Sequence, residues 1–174
     1  MLVAESRGTE GVVAGSLDDA LDNGLIPDGP YDIIRMSQVL EHVADPIALL
    51  KRIRGIIAPS GRLVVDVPNL DSLARRATGG AWDGLELPRH LVHYTRESLL
   101  WVLSLGGFHV TSLRTAPLLG VLAGSIDART AGGDRQRGWS DALPVRVALY
   151  PVEWALGAVG QGDGIVAIAE PAGT

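Results

Sequence analysis

Residues 31–69, YDIIRMSQVLEHVADPIALLKRIRGIIAPSGRLVVDVPN, read as a strand, a polar loop, a helix and a second strand, a complete parallel βαβ unit. Tyr31 to Met36 is a short apolar run centred on Ile33 and Ile34, of strand rather than helix length. Ser37-Gln38-Val39-Leu40-Glu41-His42 follows, with polar groups where a parallel strand ends. Asp45-Pro46 marks a helix start, Asp as N-cap and Pro at the first helical position. Leu49, Leu50, Ile53, Ile56 and Ile57 then share one helical face, while Lys51 and Arg52 point away. Pro59-Ser60-Gly61 is expected to stop the helix, and Leu63 to Val67 to form the next strand until Pro68 ends it. In open parallel sheets, ligands sit beyond the carboxyl ends of the strands. That rule sets Ser37–His42 and Asp66–Asn69 side by side on one rim.

Composition narrows the class. The chain has 174 residues, 47% hydrophobic and 20% charged, which suits one α/β domain. A net charge of −5 and an isoelectric point near 5.3 argue against a nucleic-acid surface, since no basic run exists to release counterions. There is no cysteine, so neither a disulfide framework nor a thiolate metal site can form. The first residues lack a charged-then-apolar export pattern, so a cytoplasmic location is expected. Ala142 to Gly160 is apolar but contains Arg146, Glu153, Pro144 and Pro151, so no membrane span is expected.

Outward from the central unit, Met1 to Glu10 resembles the last turns of a helix. Gly11 to Gly15 reads as a short strand, Leu17 to Leu25 as a short helix or irregular crossover, and Pro27 to Pro30 as a turn. Downstream, Leu70 to Ala77 suggests a short helix, and Thr78 to Gly84 a glycine-rich loop carrying Trp82. Thr95 is a plausible N-cap for a helix running to about Leu105, ended by Gly106-Gly107. Trp101 is assigned to that helix's core. Phe108 to Leu113 alternates like a strand. Within Arg114 to Leu143, an apolar piece, Pro117 to Ile126, precedes a polar segment, Asp127 to Ser140, expected to be mobile. Ala142 to Val159 reads as a helix broken near Pro151, and Ile165 to Ala169 as a buried strand. No repeat is visible.

DGPYDII, SQVLEHVADP, the helix, PSGRLVVDVPN and a later PRHLVHYT, in that order, resemble a class I S-adenosylmethionine-dependent methyltransferase of the small-molecule type. The resemblance runs from about Gly11 to Phe108, and more weakly to Glu170. It implies an α/β fold with a Rossmann-like class I methyltransferase sheet, incomplete because the first two strands are absent, and with an antiparallel last strand inserted between neighbours. The whole chain, 1–174, would be a single partial domain. Residues 11–69 would be its cofactor-side core, 70–94 a lid and substrate segment, and 95–113 a helix and strand. Residues 114–143 would be a variable insertion and 144–174 the final helix and strand.

In the family, a strand, a glycine-rich turn and a helix open the fold, and a second strand ends in an acidic residue. Two such pieces need roughly 60 residues at about 30 each, and only ten precede Gly11. Gly79-Gly80, Gly106-Gly107 and Gly132-Gly133 do not follow a strand and open a helix as that turn requires. The absent strands would leave residues 31–36 as an exposed apolar edge. The expected outcomes are pairing with residues 11–15, pairing between two copies in a homodimer, or an incomplete start.

Methyl transfer asks a protein mainly to position two reactants and sometimes to remove a proton. The resemblance implies that Ser16 and Leu17 flank the adenine of S-adenosylmethionine. It implies also that Ser37, Gln38 and Val39 line its methionine side. The bland alternative is that Ser37 and Gln38 satisfy backbone groups at a strand end. His42 and His90 are the candidate catalytic groups, since a histidine can act as a base near neutral pH. In His42's case, the Glu41-His42 pair serving only to hold the loop is the competing reading. Asp66, Asn69, Arg89 and His93 are the candidate contacts to a small-molecule substrate, with residues 69–94 and 114–143 forming its pocket. Asp66 is odd among valines, and a buried structural carboxylate is equally consistent with its position. His90 and His93 with Asp66 or Glu41 could ligate a metal, as in a hydrolase, but the spacing matches no recognised motif, so no metal site is assigned. The function expected is methylation of a small molecule, with weak or no cofactor binding by the chain as written. The alternative is a non-catalytic subunit of the same fold.

Overall fold

The computed structural model describes residues 15–131 and 139–173. The helix expected at 1–10, all but the last residue of the strand expected at 11–15 and the centre of the polar segment at 127–140 lie outside the described residues. After a short helix α1 (Leu17–Asp22), capped by Ser16, the chain enters β1 (Tyr31–Ser37). Helix α2 (Pro46–Ile56) begins where the sequence places it, with the Asp45 side chain accepting from the Ala48 N–H at 2.9 Å. Strand β2 (Ile57–Pro68) differs from expectation, because it starts directly at the helix end and includes Pro59-Ser60-Gly61. The pairing explains how. Tyr31 lies opposite Ile57 and Ile33 opposite Arg62, so extra residues of β2 bulge out between them. Gly61 permits this, since a Cβ there would lie 2.8 Å from the Tyr31 carbonyl oxygen. Ile57 therefore belongs to the sheet and not to the helical face.

Helix α3 (Leu73–Thr78) is capped by Ser72, and two 3-10 turns, Gly79–Ala81 and Asp83–Leu85, replace the expected open loop. Helix α4 (Arg96–Leu105) begins with a reciprocal Thr95–Ser98 capping box. Strand β3 (Phe108–Ala116) leads to α5 (Val121–Thr130), a helix the sequence left as an apolar piece. Helix α6 (Leu143–Ala158) runs unbroken through Pro151, contrary to expectation, and β4 (Gly164–Pro171) closes the sheet. Packing against neighbours outweighs the hydrogen bond lost at the proline.

The strand order is β1-β2-β4-β3, with β1 and β2 parallel and β4 antiparallel to both of its neighbours. The insertion of an antiparallel last strand is as expected. One face of the sheet, carrying Leu63, Val65, Val67, Ile165 and Ala167, is fully buried beneath Leu50 and Ile53 of α2 and Leu99 and Leu103 of α4. Val64, Val166 and Ile168 on the opposite face are only half-buried, and Ile33 is 69% exposed. Among the described residues, β1 pairs with β2 alone. Trp101 is 63% exposed and so is not core; Leu99, Val102 and Leu103 fill that role. No described helix is long and apolar enough to cross a membrane.

Candidate functional site

Three groupings matter here, two at the carboxyl ends of β1 and β2 and one along the outer side of β1 and α2. In the first, Asp66 is surrounded by donors from β1 and the residue that follows it. Its Oδ1 accepts from Ser37 Oγ at 3.0 Å and Gln38 Nε2 at 3.1 Å, and its Oδ2 accepts from Arg35 at 3.1 Å. The Gln38 N–H also donates to the Asp66 carbonyl, and Gln38 takes a left-handed φ of 53°. The register sets Ser37 directly opposite Asp66, which brings these side chains together. Ser37, Gln38 and Asp66 thus spend their side chains on one another. Asn69 is similarly engaged: its Nδ2 donates to the Gly162 carbonyl and its Oδ1 accepts from the Asp71 N–H.

The second grouping is a hollow of about 1030 Å³ between α1, β1 and α2. Ser16, Leu17 and Val39 line it together, with Met36, Ala48 and Ile53. Arg52 spans its outer side, pairing with Asp18 and Asp22, each at 3.1 Å. The sequence-predicted cofactor residues therefore divide, with Ser16, Leu17 and Val39 on the hollow and Ser37 and Gln38 on Asp66.

The third grouping joins the loop after β1 to residues 84–93. The Leu91 and Val92 N–H groups donate to the Glu41 carbonyl, stitching the two segments. His42 Nδ1 lies 2.9 Å from the Arg89 carbonyl, and His90 Nδ1 lies 2.9 Å from the Gly84 carbonyl. The His42 and His90 rings meet edge-on with centroids 4.7 Å apart, and His93 stands 6.2 Å from His90. His93 Nε2 contacts the Leu85 carbonyl at 3.0 Å. Arg89 is exposed and paired with Glu86 at 3.2 Å. Glu86 Oε2 also stands 3.9 Å from His90 Nε2.

Burial sets the electrostatics here. Glu41 is only 1% exposed and neither carboxylate oxygen has a hydrogen-bond partner. Desolvation pushes its pKa up, partly offset by the pull of its own backbone N–H, which falls short of hydrogen-bond geometry, and by His42. Desolvation also pushes the buried His90 down, which favours the neutral imidazole. The Tyr94 hydroxyl, buried and near Glu41, is pushed up to about 12.

The sequence singled out His42, His90 and His93, and the structure brings them together. It gave Glu41 only a minor part and missed Arg35 and Glu86. The spacing of Glu86 to Arg89 and His90, three and four residues, was the available signal for the latter. A smaller hollow of about 250 Å³ lies beside this grouping, lined by Trp82, Glu86 and Ala128. The Trp82 indole N–H donates to Asp163 at 2.9 Å, so the ring is a fixed wall.

Residues 7–113 match the family model described as a methyltransferase domain. The chain belongs to that family. The methyltransferase-domain chain is similar to an S-adenosylmethionine-dependent methyltransferase from Archaeoglobus fulgidus, at 18% identity and a TM-score of 0.53, covering 91% of this chain and 66% of that one. It is similar also to a Thermotoga maritima structure described as a possible histamine N-methyltransferase, at 15% identity and a TM-score of 0.50, covering 82% of this chain and 56% of that one. Among curated proteins, it is 46% identical over 48 residues to an uncharacterised 37.1 kDa protein in the Streptomyces fradiae transposon TN4556, covering 28% of this chain and 14% of that protein. The methyltransferase-domain chain thus spans less than two thirds of the length of these relatives. The likeness to the solved structures establishes the Rossmann-like fold.

Proposed function

We propose that this chain forms the acceptor-side rim and the adenosine-side wall of an S-adenosylmethionine-dependent methyltransferase acting on a small molecule, in the cytoplasm. The observation that carries the reading is the hollow in which Ser16 and Leu17 meet Val39. Its volume, about 1030 Å³, suits a small-molecule or cofactor site. Its apolar wall, with Leu17 and Val39, fits a flat base, while the Ser16 hydroxyl is engaged with Asp19 in capping α1. No glycine-rich strand-to-helix turn occurs among the described residues, so the fit covers the base end of the cofactor. When bound, S-adenosylmethionine supplies a methyl group activated by a sulfonium. The chain's own residues hold the acceptor: residues 70–94 cover the rim, with Arg89 and His93 available to a polar acceptor and His42 and His90 beneath them. Asp66 and Asn69 act by fixing the shape of the rim.

Calorimetric titration with S-adenosylhomocysteine tests this. The expected affinity is weak, with a dissociation constant on the order of 1 mM, about −4 kcal/mol. Ala48→Trp, which fills the hollow from an exposed position, should abolish even that. Absence of saturable binding, or binding unchanged by Ala48→Trp, would reject the cofactor assignment.

A second reading, a non-catalytic subunit of the same fold, is favoured by the half-bare sheet face and the exposed Ile33. Parallel strands are normally covered on both faces. Failure to bind S-adenosylhomocysteine together with stable association through that face would favour it.

A further inference from the structure

We infer that Glu41, His42 and His90 form a binding site for a divalent first-row transition metal ion, with zinc as the ion to test. One ligand atom from each lies within 4.8 Å of the other two, a spread that small side-chain rotations close to ligand distances. The inference stands on this grouping and does not depend on the methyl-transfer reading.

Three observations point to a cation. First, the tautomers follow from the backbone. The Nδ1 atoms of His42 and His90 each lie 2.9 Å from a carbonyl oxygen, those of Arg89 and Gly84, which can only accept. Each Nδ1 therefore carries a proton, and in the neutral ring, the form a metal binds, each Nε2 keeps a lone pair. Histidines that ligate metals show this arrangement, the second nitrogen donating to a carbonyl that fixes the ring. Second, Glu41 is a buried carboxyl group whose two oxygens have no hydrogen-bond donor. Such a group costs free energy unless something supplies the missing partner. A cation between Glu41 and the two lone pairs satisfies all three at once. Third, the segments that bring the ligands together are joined independently, by the Leu91 and Val92 N–H bonds to the Glu41 carbonyl. The site is thus held in shape before any ion arrives.

Two neutral imidazoles and one carboxylate are a donor set for zinc and its first-row neighbours and a poor one for calcium or magnesium. Three protein ligands leave at least one position open. With an ion bound, His42 and His90 act as ligands and not as bases, and an acceptor oxygen or nitrogen would meet the open position.

The experiment uses the full chain, stripped of metal by chelation and then titrated with zinc, with cobalt as a visible-spectrum reporter. One zinc per chain is expected, with intense cobalt d–d absorption of low coordination number. Glu41→Gln and His90→Asn should each weaken zinc binding by more than about 100-fold, beyond the 10–100-fold carried by outer partners. His109→Asn, an exposed histidine on β3, should leave it unchanged. Should His90→Asn fail to fold, Glu41→Gln, which keeps the side chain's shape, decides. Folded wild-type chain that takes up no stoichiometric zinc would overturn the inference. So would zinc binding that survives Glu41→Gln, or that is lost in His109→Asn.

Discussion

Asp66 and Glu153 show two ways of burying a carboxylate. Asp66 sits among three donors, Arg35 and Ser37 on the neighbouring strand and Gln38 just past its end, so both oxygens are hydrogen-bonded. Glu153 of α6 is 1% exposed; its Oε1 accepts from the Gly120 and Leu122 N–H groups, while Oε2 has no partner. Desolvation pushes the Glu153 pKa up, the two N–H groups and Arg146 pull it down, and Asp163 adds to the rise. Folding therefore favours the protonated form. Its contribution to stability is complete below the ordinary carboxylate range, about pH 4, and is lost as pH climbs through the raised folded value. The melting temperature should fall across that window. Glu153→Gln keeps the acceptor for both N–H groups and has no charge to bury. Its melting temperature, followed by circular dichroism from mildly acidic to neutral pH, should vary less steeply than that of the wild type. A residual slope of the same sign is expected from Asp163, which burial also pushes up.

At the scale of elements, the close contact of α2 with the end of α4 depends on a missing side chain. A Cβ at Gly106 would lie 2.5 Å from Leu50 Cβ, in a fully buried position. Gly106→Ala should cost about 1–3 kcal/mol through overpacking, measured by urea denaturation. The elements most legible in the sequence are those with local signals. Asp45-Pro46 and Thr95 announced α2 and α4, and the run 165–169 announced β4. What escaped is set by distant contacts. The early start of β2 rests on pairing across a bulge with Tyr31, and the continuity of α6 through Pro151 rests on packing against β3 and α5. Trp101 looked like core by residue type but faces away from the sheet. The site was legible in the same uneven way. Three histidines could be picked out by their neighbours in sequence. The engagement of Ser37 and Gln38 by Asp66 is a cross-strand fact, and the isolation of the Glu41 carboxyl group emerges only when the chain has folded around it.

For the molecule as a whole, the exposed flank of β1 is the feature most open to test. Among the described residues β1 has a sheet neighbour on one side only; an apolar strand with one free side is a template for pairing, and Ile33 is its most exposed apolar residue. Ile33→Lys should shift sedimentation profiles toward monomer, with the unfolding free energy of the monomer changed by less than about 0.5 kcal/mol, as expected for a surface substitution. An unchanged profile would remove homodimer pairing through this edge. The order β1-β2-β4-β3 has one more consequence, for the timing of biogenesis. Strand β3 has no described sheet neighbour but β4, and β2 gains its second neighbour only from β4. While a ribosome is still reading codons 164–171, the middle of the sheet is a vacant slot between the β1–β2 pair and a still unmated β3. The nascent polypeptide stays open until residues 164–171 have emerged, and closure waits on the arrival of β4 between strands made long before it.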